Sequence, residues 1–96
     1  MTVKNLPIES FTPEELARLA GLRYVTDEQP GLAREQNGSG FHFFNGGGTP
    51  LRNRRMVARI EALAIPPAWT EVWICRFANG HLQATGRDDR QRKQYI

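Results

Sequence analysis

Residues 71–77 constrain the fold more than any other stretch of this sequence, because they form its clearest strand pattern. From Val72 to Cys75 the side chains are apolar at both odd and even positions, whereas a strand with one solvated face alternates apolar and polar residues. The segment is therefore predicted to be a central strand that is covered on both faces. A chain of 96 residues can provide that cover within one domain that has a single modest core.

A short helix is predicted near the N-terminus. Thr12 is suited to the N-cap, and Glu15 three residues later can close a capping box. Pro13 suits the first helical position, and Gly21 can end the helix in a left-handed conformation. So short a helix is marginal alone, and its apolar stripe is therefore expected to pack on another part of the domain. The stripe consists of Leu16, Leu19 and Ala20.

A second helix is predicted over residues 53–63, where apolar residues recur at three- and four-residue spacing. Pro66 and Pro67 stop it, since neither can donate a backbone hydrogen bond, and Trp69 is expected to anchor the following turn by burying its indole. The predicted buried face consists of Met56, Val57, Ile60, Leu63 and Ala64. A separate face carries Arg52, Arg55 and Arg59, and a DNA contact by these arginines is a secondary hypothesis beside a simple solvated surface.

The remaining elements are predicted from β-branched and aromatic content and from turn residues. Strands are expected at residues 22–26, 41–44, 82–87 and 92–96, with a loop at residues 31–40. Asn79 and Gly80 indicate a two-residue hairpin turn, with a longer loop as the alternative. The predicted fold class is α+β, with a mainly antiparallel sheet of about five strands and two short helices. It forms a single small domain over residues 11–96, after an irregular lead-in at residues 1–10.

Residues 86–95 concentrate four cations, two glutamines and one tyrosine. Arginine and lysine are suited to phosphates, and glutamine can pair with an adenine edge in a major groove. This composition indicates a nucleic-acid contact, although a solvated and charged turn has the same composition. The candidate contact residues are Arg87, Arg90, Arg92, Lys93, Gln94 and Tyr95.

Few residues are available for catalysis or for metal binding. Cys75 is the sole cysteine and lies in an apolar run, so it is predicted to be buried and inert. His42 and His81 have no second ligand at metal-binding spacing and no convincing nucleophile–base partner. No metal and no cofactor are therefore expected. The sequence also lacks a signal-peptide pattern and a membrane-spanning apolar run, which leads us to expect a cytoplasmic protein with no membrane partner.

Three runs carry a resemblance to a known family. They are Ile65-Pro66-Pro67-Ala68-Trp69, then Asn79-Gly80-His81-Leu82-Gln83-Ala84-Thr85-Gly86-Arg87-Asp88, and then Arg92-Lys93-Gln94-Tyr95. Together they resemble the N-terminal domain of the type IB DNA topoisomerases of bacteria and poxviruses. The resemblance is strong over residues 65–95, moderate over residues 22–64 and weak before that.

The resemblance implies a two-domain monomeric enzyme that clamps duplex DNA and relaxes supercoils without ATP or metal. A second domain of the same polypeptide would cleave one strand through a tyrosine, leaving a 3′-phosphotyrosine, and then reseal it. That domain would hold every catalytic residue, so this chain alone is expected to be inactive. Tyr95 is then not the nucleophile, and its pair with Gln94 would approach the major groove.

One position departs from the family's pattern, and two other functions compete with DNA clamping. Gln91 stands where relatives usually have glycine, which puts the backbone geometry of the turn in question. A tight hairpin would also point Arg92 and Gln94 to one face and Lys93 and Tyr95 to the other.

The main alternative is a basic module that binds RNA or an acidic protein, and a small enzyme is a third, weaker hypothesis.

Overall fold

A computed structural model describes residues 10–96, so most of the predicted lead-in at residues 1–10 lies outside the described residues. The elements in chain order are α1 (Pro13–Leu19), β1 (Leu32–Asn37), β2 (Gly40–Phe44), α2 (Arg54–Ala62), β3 (Thr70–Ile74), β4 (Ala84–Arg87) and β5 (Lys93–Tyr95). The five strands form one sheet in the order β2-β1-β3-β4-β5, and every neighbouring pair is antiparallel. The predicted α+β class and its five-stranded antiparallel sheet are confirmed.

Helix α1 begins as its sequence predicts, but its apolar stripe remains largely exposed. The N–H of Glu15 donates to Thr12 Oγ1 at 3.2 Å, and the N–H of Thr12 donates back to Glu15 Oε1 at 3.1 Å. Gly21 follows the helix with φ +76°, the left-handed conformation that glycine tolerates best. Leu16 and Leu19 are exposed and Ala17 is the buried residue of the helix, so the expected packing of the stripe is wrong.

Helix α2 covers one face of the sheet. Asn53 caps it, since its Oδ1 accepts from the N–H groups of Arg55 at 3.0 Å and Met56 at 3.1 Å. Ile60 is buried, whereas Ala64 is exposed beyond the helix end with φ +53°, which corrects its predicted place on the buried face. The core cluster consists of Leu32, Ile60, Ile74 and Ala84, with Phe43, Leu51, Met56, Leu63, Ile65 and Val72 packed around it.

The first predicted strand and the predicted loop after it are both wrong. Within residues 22–26, Arg23 forms one isolated bridge to Gly80 and there is no strand. The predicted loop at residues 31–40 contains β1, although its sequence is mostly polar. Strand β1 exists because Leu32 and Ala33 pair with β3, and because its remaining residues pair with β2 across a turn at Gly38, which has φ +62°.

Strand β3 is the middle strand of the sheet, as its apolar pattern predicts. Ile74 faces the core cluster, while the preceding residue, Trp73, lies on the opposite face and is half-buried. The indole N–H of Trp73 donates to the carbonyl of Gln29 at 2.9 Å. Trp73 is therefore a cover for the sheet and not the fully buried core residue that its sequence context suggests.

The connection between β3 and β4 is the longer loop of residues 75–83, not a two-residue turn. Cys75 is buried and free, as predicted. One guanidinium nitrogen of Arg59 donates to the carbonyl of Cys75 at 2.6 Å, and another donates to the side chain of Gln83. Arg59 therefore supports this loop from α2, whereas Arg52 and Arg55 are exposed.

Candidate nucleic-acid interface

The antiparallel pairing of β4 and β5 determines which candidate residues share a face. Thr85 pairs with Tyr95, Gly86 with Gln94 and Arg87 with Lys93. Because paired residues project to the same side of a sheet, Arg87, Lys93 and Tyr95 share one face, and Gln94 lies on the other. The side-chain alternation predicted for this hairpin is confirmed.

The Gln94 face is built against the turn that follows α2. A methyl group at Gly86 would lie 2.7 Å from Cε3 of Trp69, so only glycine lets the indole pack on β4. Arg34 donates to the carbonyl of Ile65 at 3.2 Å and to that of Trp69 at 2.9 Å. Strand β1 therefore holds the turn that presents Trp69 to the hairpin.

Asp88 organises the tip of the hairpin. Its Oδ1 accepts from the N–H groups of Arg90 and Arg92, both at 2.9 Å. Its Oδ2 accepts from Arg92 Nε at 2.8 Å and from the amide of Gln94 at 3.0 Å. Partial desolvation opposes ionisation, but these hydrogen bonds prevail and lower the pKa of the Asp88 carboxyl. Reasoning from sequence did not identify this role of Asp88.

The backbone at Gln91 is left-handed, although the family that the chain resembles usually has glycine at this position. Its φ is +62°, in the left-handed region that costs a residue with a Cβ about 1–2 kcal/mol. The N–H of Gln91 donates to the carbonyl of Asp88 at 2.9 Å, and this bond closes the turn. The turn therefore keeps a backbone geometry suited to glycine, although the residue at this position is glutamine.

We expect Gln91→Gly to raise the free energy of unfolding by about 0.5–1 kcal/mol, because relief of the left-handed strain exceeds the extra entropy of glycine in the unfolded chain. Urea denaturation measures the change. Asp89→Gly is the matched control, since Asp89 lies in the same turn without a positive φ, and it is expected to destabilise the domain. A destabilising Gln91→Gly would contradict the strain.

Lys93 is fixed on the other face of the hairpin by Asp27. Its Nζ lies 2.5 Å from Asp27 Oδ2, and the hydroxyl of Thr85 donates to the same oxygen at 3.0 Å. The hydrogen bond with Lys93 lowers the pKa of Asp27, and the same bond raises the pKa of Lys93. Lys93 Nζ is also 5.7 Å from the centroid of the Tyr95 ring, and Tyr95 is 61% exposed.

The arginines of the hairpin differ in how far their charge is balanced. Arg87 Nε lies 3.7 Å from Glu71 Oε2, and Arg92 pairs with Asp88. Arg90 is exposed and, within residues 10–96, forms no ion pair. Arg90 thus presents an uncompensated charge at the tip of the hairpin.

The structure brings together the six sequence-predicted candidates on one hairpin, yet on two faces.

Over residues 10–96 there is no cluster of three or more potential metal ligands. His42 is exposed with its Nε2 3.2 Å from the amide of Asn37, and His81 stacks on Tyr24. Nor does any helix in that part of the chain have the length and apolar character needed to cross a membrane.

The sequence has a counterpart among known protein families. Residues 40–88 match the family described as the N-terminal domain of bacterial DNA topoisomerase IB, and this match spans β2 to Asp88, about half of the chain. The chain belongs to this family. The resemblance drawn from its sequence motifs is thereby confirmed. Of the candidate residues, Arg87 lies inside the matched region of the topoisomerase IB domain, and the rest of the hairpin follows it.

A curated relative agrees with the family. The chain is 40% identical over 65 residues to DNA topoisomerase 1B of Acanthamoeba polyphaga mimivirus. The match covers 68% of this chain but 19% of the relative, so the chain spans about a fifth of the length of the curated relative it matches. No solved structure matches the chain.

Proposed function

We propose that this topoisomerase IB N-terminal domain clamps one face of duplex DNA through its β4–β5 hairpin. A catalytic domain of the same polypeptide would cleave and reseal one strand, relaxing supercoils without ATP. The observation that carries the proposal is the cationic hairpin of a chain in this family, in which Asp88 fixes the side chains of Arg92 and Gln94. Neither a cofactor nor a metal has a part in the clamp.

Both faces of the hairpin can contact one duplex if the hairpin enters the major groove. That groove is about 12 Å wide and admits a two-stranded β-ribbon. Strand β5 is at the edge of the sheet, so Gln94 on one face and Tyr95 on the other would meet opposite walls of the groove. Residues that alternate between the two faces of the hairpin could therefore all contact the same duplex.

Gln94 remains able to contact a base while Asp88 holds it. An amide nitrogen carries two hydrogens, and its carbonyl oxygen is a separate acceptor. One hydrogen donates to Asp88 Oδ2, which leaves the second hydrogen and the carbonyl oxygen for an adenine edge. Arg90 and Arg92 at the tip would neutralise phosphates and release counterions, so affinity would depend strongly on salt.

Affinity measurements on three ligands test the proposal against its main alternative. The 96-residue chain is titrated with a short DNA duplex, with single-stranded RNA of matched length and with an acidic peptide, each at several salt concentrations. We expect the duplex to bind most tightly and with the steepest salt dependence. Tighter binding of RNA or of the peptide would instead identify the hairpin as an interaction module for that ligand.

Asp88→Asn is expected to weaken binding to duplex DNA several-fold, although it makes the chain more positive by one charge. The asparagine carbonyl oxygen can still accept the backbone N–H groups of Arg90 and Arg92, but its NH₂ group cannot accept from Arg92 Nε or from Gln94. Both side chains then lose the geometry in which they would meet DNA. The dissociation constant from fluorescence anisotropy measures the change.

Asp89→Asn is the matched control for that variant. It makes the same change of charge one residue later, and within residues 10–96 the side chain of Asp89 forms no ion pair. Counterion release alone predicts slightly tighter binding for this control. If Asp88→Asn tightened binding as much as Asp89→Asn, the role of Asp88 in positioning the contacts would be refuted.

A further inference from the structure

A second basic surface lies beside the β3–β4 loop, outside the hairpin. Arg23 Cζ is 4.1 Å from the centroid of the Phe77 ring, and Arg76 Cζ is 5.2 Å from the same centroid. These three side chains line an open cleft of about 360 Å³, together with Tyr24, Gln29 and Pro30. The sequence gives little indication of this site, because Arg23 and Phe77 meet only through the fold.

The backbone around Arg23 is held in place by the β3–β4 loop. The N–H of Arg23 donates to the carbonyl of Asn79, and the N–H of His81 donates to the carbonyl of Arg23, both at 2.8 Å. The Tyr24 ring stacks on His81 with centroids 4.7 Å apart and an angle of 9° between the planes. The N–H of Val25 donates to His81 Nδ1 at 3.0 Å. Arg23 is therefore carried on a fixed backbone.

Among the described residues 10–96, no carboxylate forms an ion pair with the two arginines of this cleft. Arg23 and Arg76 are exposed, and within residues 10–96 neither guanidinium forms an ion pair or donates a hydrogen bond. The shared ring attracts both cations, which places two like charges close together. Each guanidinium keeps five N–H donors, and paired forks of this kind match the oxygens of a phosphate group.

We propose that the Arg23–Arg76 cleft binds a backbone phosphate of the duplex that the hairpin holds, an inference that rests on the proposed function. Residues 23–27 connect the two sites, since Arg23 lines the cleft and Asp27 binds Lys93 of the hairpin. Even a fully extended chain of this length spans only about 14 Å between its end Cα atoms. The cleft and the hairpin thus lie within reach of one short duplex.

The test compares the salt dependence of duplex binding among three charge-matched double variants. Arg23→Gln/Arg76→Gln removes the two positive charges of the cleft, and Arg90→Gln/Arg92→Gln removes two at the tip of the hairpin. The control, Arg18→Gln/Arg54→Gln, removes exposed arginines of the two helices. Loss of one bound phosphate is expected to reduce the slope of log K against log salt by about 0.9 for the cleft variant, and loss of two by about 1.8 for the hairpin variant. We expect a clearly smaller reduction for the control.

The outcomes separate this inference from the proposed function. If the hairpin variant loses slope and the cleft variant behaves like the control, the cleft proposal is overturned and the clamp stands. If neither variant differs from the control, the clamp itself fails. Thermal melting of each variant verifies folding, and retention is expected because the four replaced hairpin and cleft side chains are exposed.

A second readout locates the ligand directly. The arginine Nε–Hε resonances of Arg23 and Arg76 are followed by NMR while short duplex DNA is added, and then while inorganic phosphate is added at the same phosphate concentration. We expect both resonances to shift with DNA and to shift much less with the free ion. Equal shifts with the free ion would overturn the assignment to the DNA backbone, as would unchanged resonances at saturating DNA.

Discussion

Ile74→Ala is expected to lower the free energy of unfolding by about 2–5 kcal/mol, the usual range for truncating a buried isoleucine. Ile74 has no exposed surface and lies on the middle strand of the sheet, in the core cluster with Ile60 and Leu32. Removing three carbons there leaves a cavity that the sheet and α2 cannot close without breaking other contacts. A small domain has only about 5–15 kcal/mol of stability to lose.

Two further variants provide comparisons for the loss of stability expected in Ile74→Ala. Ile74→Val keeps most of the side chain and should cost about 0.5–1.5 kcal/mol. Trp73→Ala removes a larger side chain from the opposite face, yet Trp73 is half-buried and its indole N–H donates to the exposed residue Gln29. Urea denaturation of the three variants is expected to rank Ile74→Ala as the most destabilised. A larger loss for Trp73→Ala would show that the sheet face that carries Trp73 contributes the main core.

Replacing Arg90, Arg92 and Lys93 together by glutamine is expected to weaken duplex binding by roughly 10²–10³-fold at 0.1 M salt. Each phosphate contact contributes about 0.9 to the slope of log K against log salt, so the slope should fall by about 2.7. Fluorescence anisotropy across a salt series measures both quantities. A control that replaces Arg18 and Arg54 removes two exposed charges and should lower the slope by far less than the value of about 1.8 expected for two phosphate contacts.

Single replacements refine this prediction. Arg90→Gln and Arg92→Gln should each lower the slope by about one. Lys93→Gln should lower the slope by a similar amount and weaken binding further, because it leaves the carboxylate of Asp27 unpaired beside the DNA surface. Replacing Asp27 by asparagine as well should remove this additional loss of affinity. If all three single variants keep the wild-type slope, these side chains do not contact phosphates.

Local sequence signals predicted the elements whose cause is local. The capping box at Thr12, the apolar spacing of α2 and the doubly apolar run of β3 are each encoded within a few residues, and each is confirmed. Strand β1 could not be predicted in this way, because its mostly polar sequence is extended by pairing with β2 and β3. The exposed stripe of α1 shows the reverse, in that an amphipathic pattern does not ensure a packing partner within residues 10–96.

The candidate interface follows the same division. Composition alone identified the cations of the hairpin, and alternation along β5 correctly assigned them to two faces. What composition could not give is the set of partners, since Lys93 meets Asp27 and Arg23 meets Phe77 across long stretches of chain. The one informative local signal was Gln91 in place of glycine, and the structure gives it a left-handed φ.

The most direct test of the proposed clamp follows the backbone amide chemical shifts of the chain during titration with short duplex DNA at low and at moderate salt. The proposal predicts that shifts concentrate at residues 87–95 and fade as salt rises. Further shifts at Arg23 and Arg76 are expected from the cleft. An absence of shifts in the hairpin at low salt, with the chain still folded, would contradict the assignment of DNA binding to this surface.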